Sequence, residues 1–267
     1  MLAHLAEDAV TATAHATDVT DIEAVRGLLA AIDATGHPLR GVIHAAMVLD
    51  DVLDDATVLE LDDHRTRAVV SPKLTGTSVL DDLTRDRPLD FFVFYSSISA
   101  LVGNLRQSIY AAGNLAGEAV IRQRRAAGLC GLAVQWCAIA DSGYAVRAGM
   151  VDTMRRAGFG ELASADATRV LGELITDGGP DVVTVGNTDW PQTSKLLSTV
   201  RAPRFAGLLP VERTGASAAP RQTSGTRSTP PTRPRHSRSS RTSSSRRWRR
   251  CYRPHPTAST QPAVSTS

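Results

Sequence analysis

Residues 90–123 read DFFVFYSSISALVGNLRQSIYAAGNLAGEAVIRQ. The run Phe91-Phe92-Val93-Phe94-Tyr95 is short, apolar and aromatic, which suits a buried strand of a parallel sheet. Ser96 and Ser97 fall where that strand would end. After a glycine-containing loop a helical pattern opens near Ser108, and it puts Tyr110 and Asn114 at i and i+4 on one face. Ligands of open α/β sheets bind just beyond the carboxyl ends of the strands. A hydroxyl at a strand end, facing a tyrosine on the next helix, is therefore a candidate reaction centre. The expected fold class is α/β, a parallel sheet with flanking helices.

Elements of the same kind extend to both sides. Upstream, Ala9–Ala16 reads as a short strand. Thr20 or Asp21 can cap a helix over Ile22–Thr35, in which Val25, Leu28, Leu29 and Ile32 recur at helical spacing. Leu39–Ala45 is the next strand, and the small pair Ala45-Ala46 follows His44 at its end. His64–Leu83 is a long helical stretch whose simple pattern Pro72 and Gly76 interrupt; it carries Lys73, by default a solvent-exposed residue. Downstream come a strand over Leu132–Cys137, a helix through Ile175 capped by Ser164 or Asp166, and a last strand over Asp181–Val185.

The net charge of +3 over 267 residues conceals an asymmetry. From Arg213 onward there are 12 arginines and no Asp, Glu or Lys, so the first 212 residues carry −9. That tail, residues 213–267, is rich in Arg, Ser, Thr and Pro and cannot offset the entropy of ordering, so disorder is expected. It has two readings: a basic arm for nucleic acid or another acidic surface, or a shifted reading frame beginning near residue 212. Abrupt loss of every acidic residue favours the second. Cys130, Cys137 and Cys251 show neither paired nor metal-like spacing, which points to a reducing, cytoplasmic setting with no metal. The start MLAHLAEDAV lacks the basic region and long apolar run of a signal peptide, and no segment approaches the ~20 apolar residues of a membrane span.

Ser97 and Tyr110 lie 13 residues apart, as in the short-chain dehydrogenase/reductases. Most of that superfamily continue the tyrosine as YxxxK, whereas this window reads Tyr110-Ala-Ala-Gly-Asn114. In this it resembles the ketoreductase domains of modular polyketide synthases, which carry the lysine on an earlier helix; Lys73 stands 24 residues before Ser97. GVIHAAMVLDD resembles the family's HAAGVLDD, with Met47 in place of the glycine, and Ala133-Val-Gln-Trp136 resembles its AVAWG strand. The resemblance runs from about Thr11 to Pro210.

It implies a Rossmann-like fold and NADPH-dependent reduction of a β-ketoacyl thioester, carried by an acyl carrier protein, to a β-hydroxyacyl thioester. Tyr110 would be the general acid, and Ser97 would hold the carbonyl oxygen. Lys73 would ease proton loss from a phenol whose free pKa is ~10 and contact the nicotinamide ribose. Asn114 would orient Lys73 or a relay water. Asp18 and Val19 would reach the adenine, and His44, Ala45 and Ala46 would line the cofactor. Leu49-Asp50-Asp51 matches the LDD motif of B-type ketoreductases, and the A-type tryptophan is absent from the loop before Tyr110. The plainer alternative for Asp50 and Asp51 is a solvated acidic turn, which the acid-rich DDVLDD keeps open. The segment Tyr144–Gly160, with Met150 and Met154, corresponds to a lid over the substrate; ordinary helix packing would use the same methionines.

The family's TGxxGxxG loop, which brings backbone N–H groups to the pyrophosphate, occurs nowhere in the sequence. The expected organisation is thus a partial ketoreductase domain over 1–212, lacking the first two βα units, followed by the tail. Two functions from different classes are carried forward: an enzyme of polyketide or related fatty acid biosynthesis, and an inactive fragment needing its missing half in trans. A nucleic-acid-binding protein using the tail is the weaker third.

Overall fold

The computed structural model describes residues 11–48, 58–104, 106–141, 149 and 151–210. The strand Phe91–Ser97 (β2) is the heart of a four-stranded parallel sheet. It pairs on one side with Gly41–His44 (β1) and on the other with Leu132–Trp136 (β3), and β3 pairs in turn with Val182–Val185 (β4). Each strand is joined to the next by a helical crossover, the connection that parallel strands require. These crossovers contain Asp63–Thr84 (α2), Ser108–Ala126 (α4) and Ser164–Asp177 (α6).

Alternation along the strands divides the core between the two faces of the sheet. Phe92, Phe94 and Ala133 point one way and pack with Leu89, Ile121 and Cys130. Val93, Leu132, Val134 and Trp136 point the other way, against Ala167 and Leu171 of α6. Gly117 lets α4 come down on the sheet, because a Cβ there would collide with the fully buried Phe94 ring. A third cluster forms around Ile98, Val102, Cys137, Phe159, Val200 and Phe205, beyond the carboxyl ends of the strands.

The helix Ile22–Ala34 (α1) packs on α2 through Val25, Leu29 and Val79. Asp21 caps it, its carboxylate accepting from the amides of Glu23 and Ala24 at 2.9 and 3.1 Å. Two expectations are corrected and one is met. The described part of the proposed strand Ala9–Ala16 lies in no strand: residues 11–16 are exposed and pair with no ladder. The long helix expected over His64–Leu83 forms as α2, which runs for 22 residues with Pro72 inside it and packs on α1 and α4. Neither Ser164 nor Asp166 caps α6. The cap position is Ala163, and the carboxylate of Asp141 accepts from the Ser164 amide and hydroxyl at 3.0 and 2.9 Å.

A short helix Ile98–Val102 (α3), which the sequence pattern did not mark, intervenes between β2 and α4. Val151–Arg156 (α5) and Trp190–Leu196 (α7) complete the α-helices among the described residues. Cys130 and Cys137 are free and buried, as expected. No helix among the described residues is long and apolar enough to cross a membrane. The tail after residue 212, Cys251 and the LDD segment Leu49-Asp50-Asp51 lie outside the described residues, as do Tyr144 and Met150.

Candidate active site

Past the carboxyl end of β2 lies a cavity of about 380 Å³. Lys73, Ser97 and Tyr110 all line it, although they come from α2, the end of β2 and the first turn of α4. Ala45 and Met47 border it from the end of β1; Asn104 and Gln107 from the loop before α4; Trp136, Cys137 and Ile139 from the end of β3. Thr153, Met154, Ala157 and Phe159 close the remaining side, so the described part of the expected lid does face the cavity.

Ser97 is both the last residue of β2 and the N-cap of α3. Its oxygen accepts from the amide of Ser99 at 3.2 Å and from the Ser99 hydroxyl at 2.9 Å. Neither bond uses the Ser97 hydroxyl hydrogen, which is left to donate to a ligand oxygen. Lys73 is buried, and its ammonium donates to the backbone carbonyl of Tyr95 at 2.6 Å and lies 5.0 Å from the centre of the Phe94 ring. Burial lowers its pKa to about 8.

Asn114 is wholly buried one turn after Tyr110, and its amide donates to the Tyr110 carbonyl at 2.9 Å. It makes no hydrogen bond to Lys73, correcting the direct form of that expectation; the carbonyl of Tyr95 orients the lysine instead. The Asn114 Oδ1 has no hydrogen-bond partner among the described residues, so it suits a water.

His44, expected to line the cofactor, is buried at the end of β1 and does not border the cavity. Its Nε2 meets the Pro72 carbonyl at 2.9 Å and its ring lies 5.7 Å from that of Phe94. Desolvation first, and the neighbouring Lys73 charge second, lower its pKa to about 4 against the pull of the Pro72 carbonyl. Because the folded value lies below the unfolded 6.5, stability from this residue is complete above pH 6.5 and drains away as pH falls towards 4. The full span is worth about 3 kcal/mol. We expect His44→Asn to flatten the melting temperature between pH 7 and pH 5 relative to the parent chain. An unchanged slope would show that other groups govern this limb.

Asp18 and Val19 are not brought to the cavity. Asp18 is exposed, and its carboxylate accepts from the amide and hydroxyl of Thr20, which lower its pKa. Val19 leans towards Gly76 of α2. Ala46 also stays off the cavity wall, which Ala45 forms.

A polar row was not foreseen. Ser96, Gln135 and Thr184 stand at one register across β2, β3 and β4. The Thr184 hydroxyl donates to Gln135 Oε1 at 2.6 Å, and Gln135 Nε2 and the Ser96 hydroxyl donate to Glu118 at 2.7 and 2.6 Å. Glu118 of α4 is fully buried, so this row ties the tyrosine-bearing helix to the serine-bearing strand end. The available signal was a glutamine between Val134 and Trp136 in an otherwise apolar strand.

Together these groups can hold a polarised oxygen by two hydroxyls beside a cation, with apolar walls for a chain. Among the described residues no group of His, Cys, Asp and Glu is arranged to hold a metal ion.

Comparisons with known proteins agree with this geometry. The family model of the KR domain matches residues 1–141. The hybrid PKS-NRPS synthetase fsa1 of Fusarium is 35% identical over 182 residues, covering 67% of this chain and 4% of the synthetase. The polyketide synthase ThaG of Burkholderia thailandensis is 38% identical over 156 residues, covering 56% of this chain and 3% of that protein. Among solved structures, the ketoreductase from the first module of phoslactomycin biosynthesis in Streptomyces aligns with a TM-score of 0.68 at 31% identity, over 76% of this chain and 46% of that one. An A-type ketoreductase from a modular polyketide synthase aligns equally well, at 30% identity over 78% of this chain and 44% of that one. The chain thus spans less than half the length of these ketoreductases and a few per cent of the synthetases.

Proposed function

Since this chain belongs to the KR domain family, the polyketide synthase ketoreductases of the short-chain dehydrogenase/reductase superfamily, we propose that its cavity reduces a β-ketoacyl thioester to the β-hydroxyacyl thioester with NADPH. The observation that carries this reading is the convergence of Lys73, Ser97 and Tyr110 on one cavity from three separate elements.

The small side chain of Ala45 and the cation of Lys73, both on the cavity wall, fit the nicotinamide ribose end of the cofactor. When bound, NADPH supplies the hydride. The chain's own residues handle the oxygen. Ser97 donates a hydrogen bond to the keto group, and Tyr110 gives it a proton as negative charge develops. Lys73, held by the Tyr95 carbonyl, lends positive charge to the phenol and the ribose. Asn114, through the carbonyl it holds, fixes the first turn that presents Tyr110. Trp136, Ile139, Met154 and Phe159 shield the centre from water and accept the acyl chain.

The finer parts of this reading rest on sequence. Leu49-Asp50-Asp51 and the missing A-type tryptophan support B-type stereochemistry, which the fold does not distinguish because A-type and C2-type ketoreductases share it. Acyl carrier protein and the other synthase domains are the proposed partners, in a cytoplasmic setting. Asp18 and Val19, although away from the cavity, are proposed to meet the adenine end. Residues 1–212 form the ketoreductase part and 213–267 a separate tail.

A second reading is an inactive chain that needs the rest of the domain in trans. Ile43 on the edge strand β1 favours it, being 49% exposed where an apolar strand residue would ordinarily be covered. Titration of the purified chain with NADPH, read by tryptophan fluorescence, separates the two. Saturable micromolar binding supports the reductase; no binding supports the incomplete chain.

A further inference from the structure

We propose that Lys73 is also a carbonyl-capturing nucleophile, whose side-chain amine forms a reversible Schiff base with small β-dicarbonyl compounds entering the cavity. This goes beyond the reductase reading and does not need a bound cofactor.

The surroundings of the amine carry the inference. Lys73 is 2% exposed, yet it borders a cavity of about 380 Å³. Its ammonium has a single hydrogen-bond acceptor, the neutral backbone carbonyl of Tyr95 at 2.6 Å, and no carboxylate pairs with it among the described residues. The Phe94 ring, 5.0 Å away, is a weak substitute for a counter-ion. A lysine desolvated without a carboxylate partner is the environment that makes an amine nucleophilic at moderate pH. The lowering of its pKa to about 8 accords with this. Ser97 and Tyr110 border the same cavity as the amine, so hydroxyl donors for a carbonyl oxygen share its space. Ile98, Trp136, Ile139 and Met154 offer apolar wall to the remainder of the molecule.

The step balances without an oxidant or reductant. The nitrogen lone pair adds to the carbonyl carbon, forming the C–N bond as the C=O π pair moves to oxygen. The oxygen takes a proton from Tyr110, which regains one from the nitrogen. Loss of water from the carbinolamine then yields the imine, so amine and ketone become imine and water. With a 1,3-diketone the imine tautomerises to a conjugated enaminone, and hydrolysis reverses the sequence.

The chain has only two lysines, Lys73 and the exposed Lys195, which makes the test a competition within one molecule. The full chain is treated with 2,4-pentanedione at pH 8, and adducts (one diketone added, one water lost) are assigned by peptide mass mapping. About half of an amine with a pKa near 8 is neutral there. Even allowing for the easier access of Lys195, we expect initial labelling of Lys73 to exceed that of Lys195 by at least about tenfold. The labelling rate of Lys73 should level off as pH rises past about 8, and its excess over Lys195 should vanish in denaturant. Lys195→Arg should retain the dominant adduct. Equal labelling of the two lysines in buffer, or faster labelling of Lys195, overturns the proposal. NADPH binding and thioester turnover are measured on the same preparation. Labelled Lys73 without either leaves this inference standing and removes the reductase reading; turnover with Lys73 unlabelled does the reverse.

Discussion

Replacing Tyr110 by phenylalanine is expected to lower turnover of a β-keto thioester by about 10²–10⁴-fold, the usual worth of a positioned general acid. The change removes one oxygen from a side chain at the cavity wall and leaves the first turn of α4 intact, including the hydrogen bond from Asn114 to the residue 110 carbonyl. Folding and NADPH affinity should therefore change little, and the loss should fall on kcat. Single-turnover reduction, followed by loss of NADPH absorbance, reads the chemical step directly. Equal rates for parent and Tyr110→Phe chains would remove Tyr110 from the chemistry and, with it, the role assigned to Lys73 as its electrostatic partner.

Asp81→Ala should have the largest effect on stability, about 3–5 kcal/mol. Asp81 and Arg124 form an ion pair of 2.6 Å whose side chains are 4% and 1% exposed. Arg124 also donates to the Cys130 carbonyl at 2.7 Å and stacks 4.5 Å over the Phe92 ring, so it cannot swing out to water. Removing the carboxylate strands a charge between α2 and α4, the two helices that carry Lys73 and Tyr110. Arg85, the other partner of Asp81, is partly exposed and can turn to solvent. The double change Asp81→Leu with Arg124→Met should cost much less, because the penalty lies in the unpaired buried charge and not in the absence of the pair. Urea denaturation of the three variants separates these cases. A single variant no weaker than the double one would show that water reaches this pair.

The buried pair and the polar row around Glu118 show where a linear reading stops. Asp81 and Arg124 are 43 positions apart, and each sits among other charged residues on a helix, so nothing local singles out the two that meet in the core. Glu118 looks like an ordinary helical carboxylate, and it becomes a buried acceptor only because Ser96 and Gln135 reach one register in adjacent strands. The expected strand at Ala9–Ala16 fails for the same kind of reason. Its alternation is compatible with a strand, but a strand exists only when a neighbour takes up its hydrogen bonds, and residues 11–16 have none. Pro72 disturbs the local helical pattern, yet packing on both sides keeps the helix expected over His64–Leu83 whole.

By itself, the sequence determined the order and type of the main elements, because aromatic runs and helical periodicity are local and survive in any context. It also determined the family, through the spacings of Lys73, Ser97, Tyr110 and Asn114. Only the tertiary structure decided that three of these four border one cavity while Asn114 braces the helix behind them. It likewise decided that His44, Asp18 and Val19 stand away from the cavity. Such distances depend on how far the sheet twists and how closely Gly117 lets α4 approach it, and these are set by contacts between residues far apart in the chain.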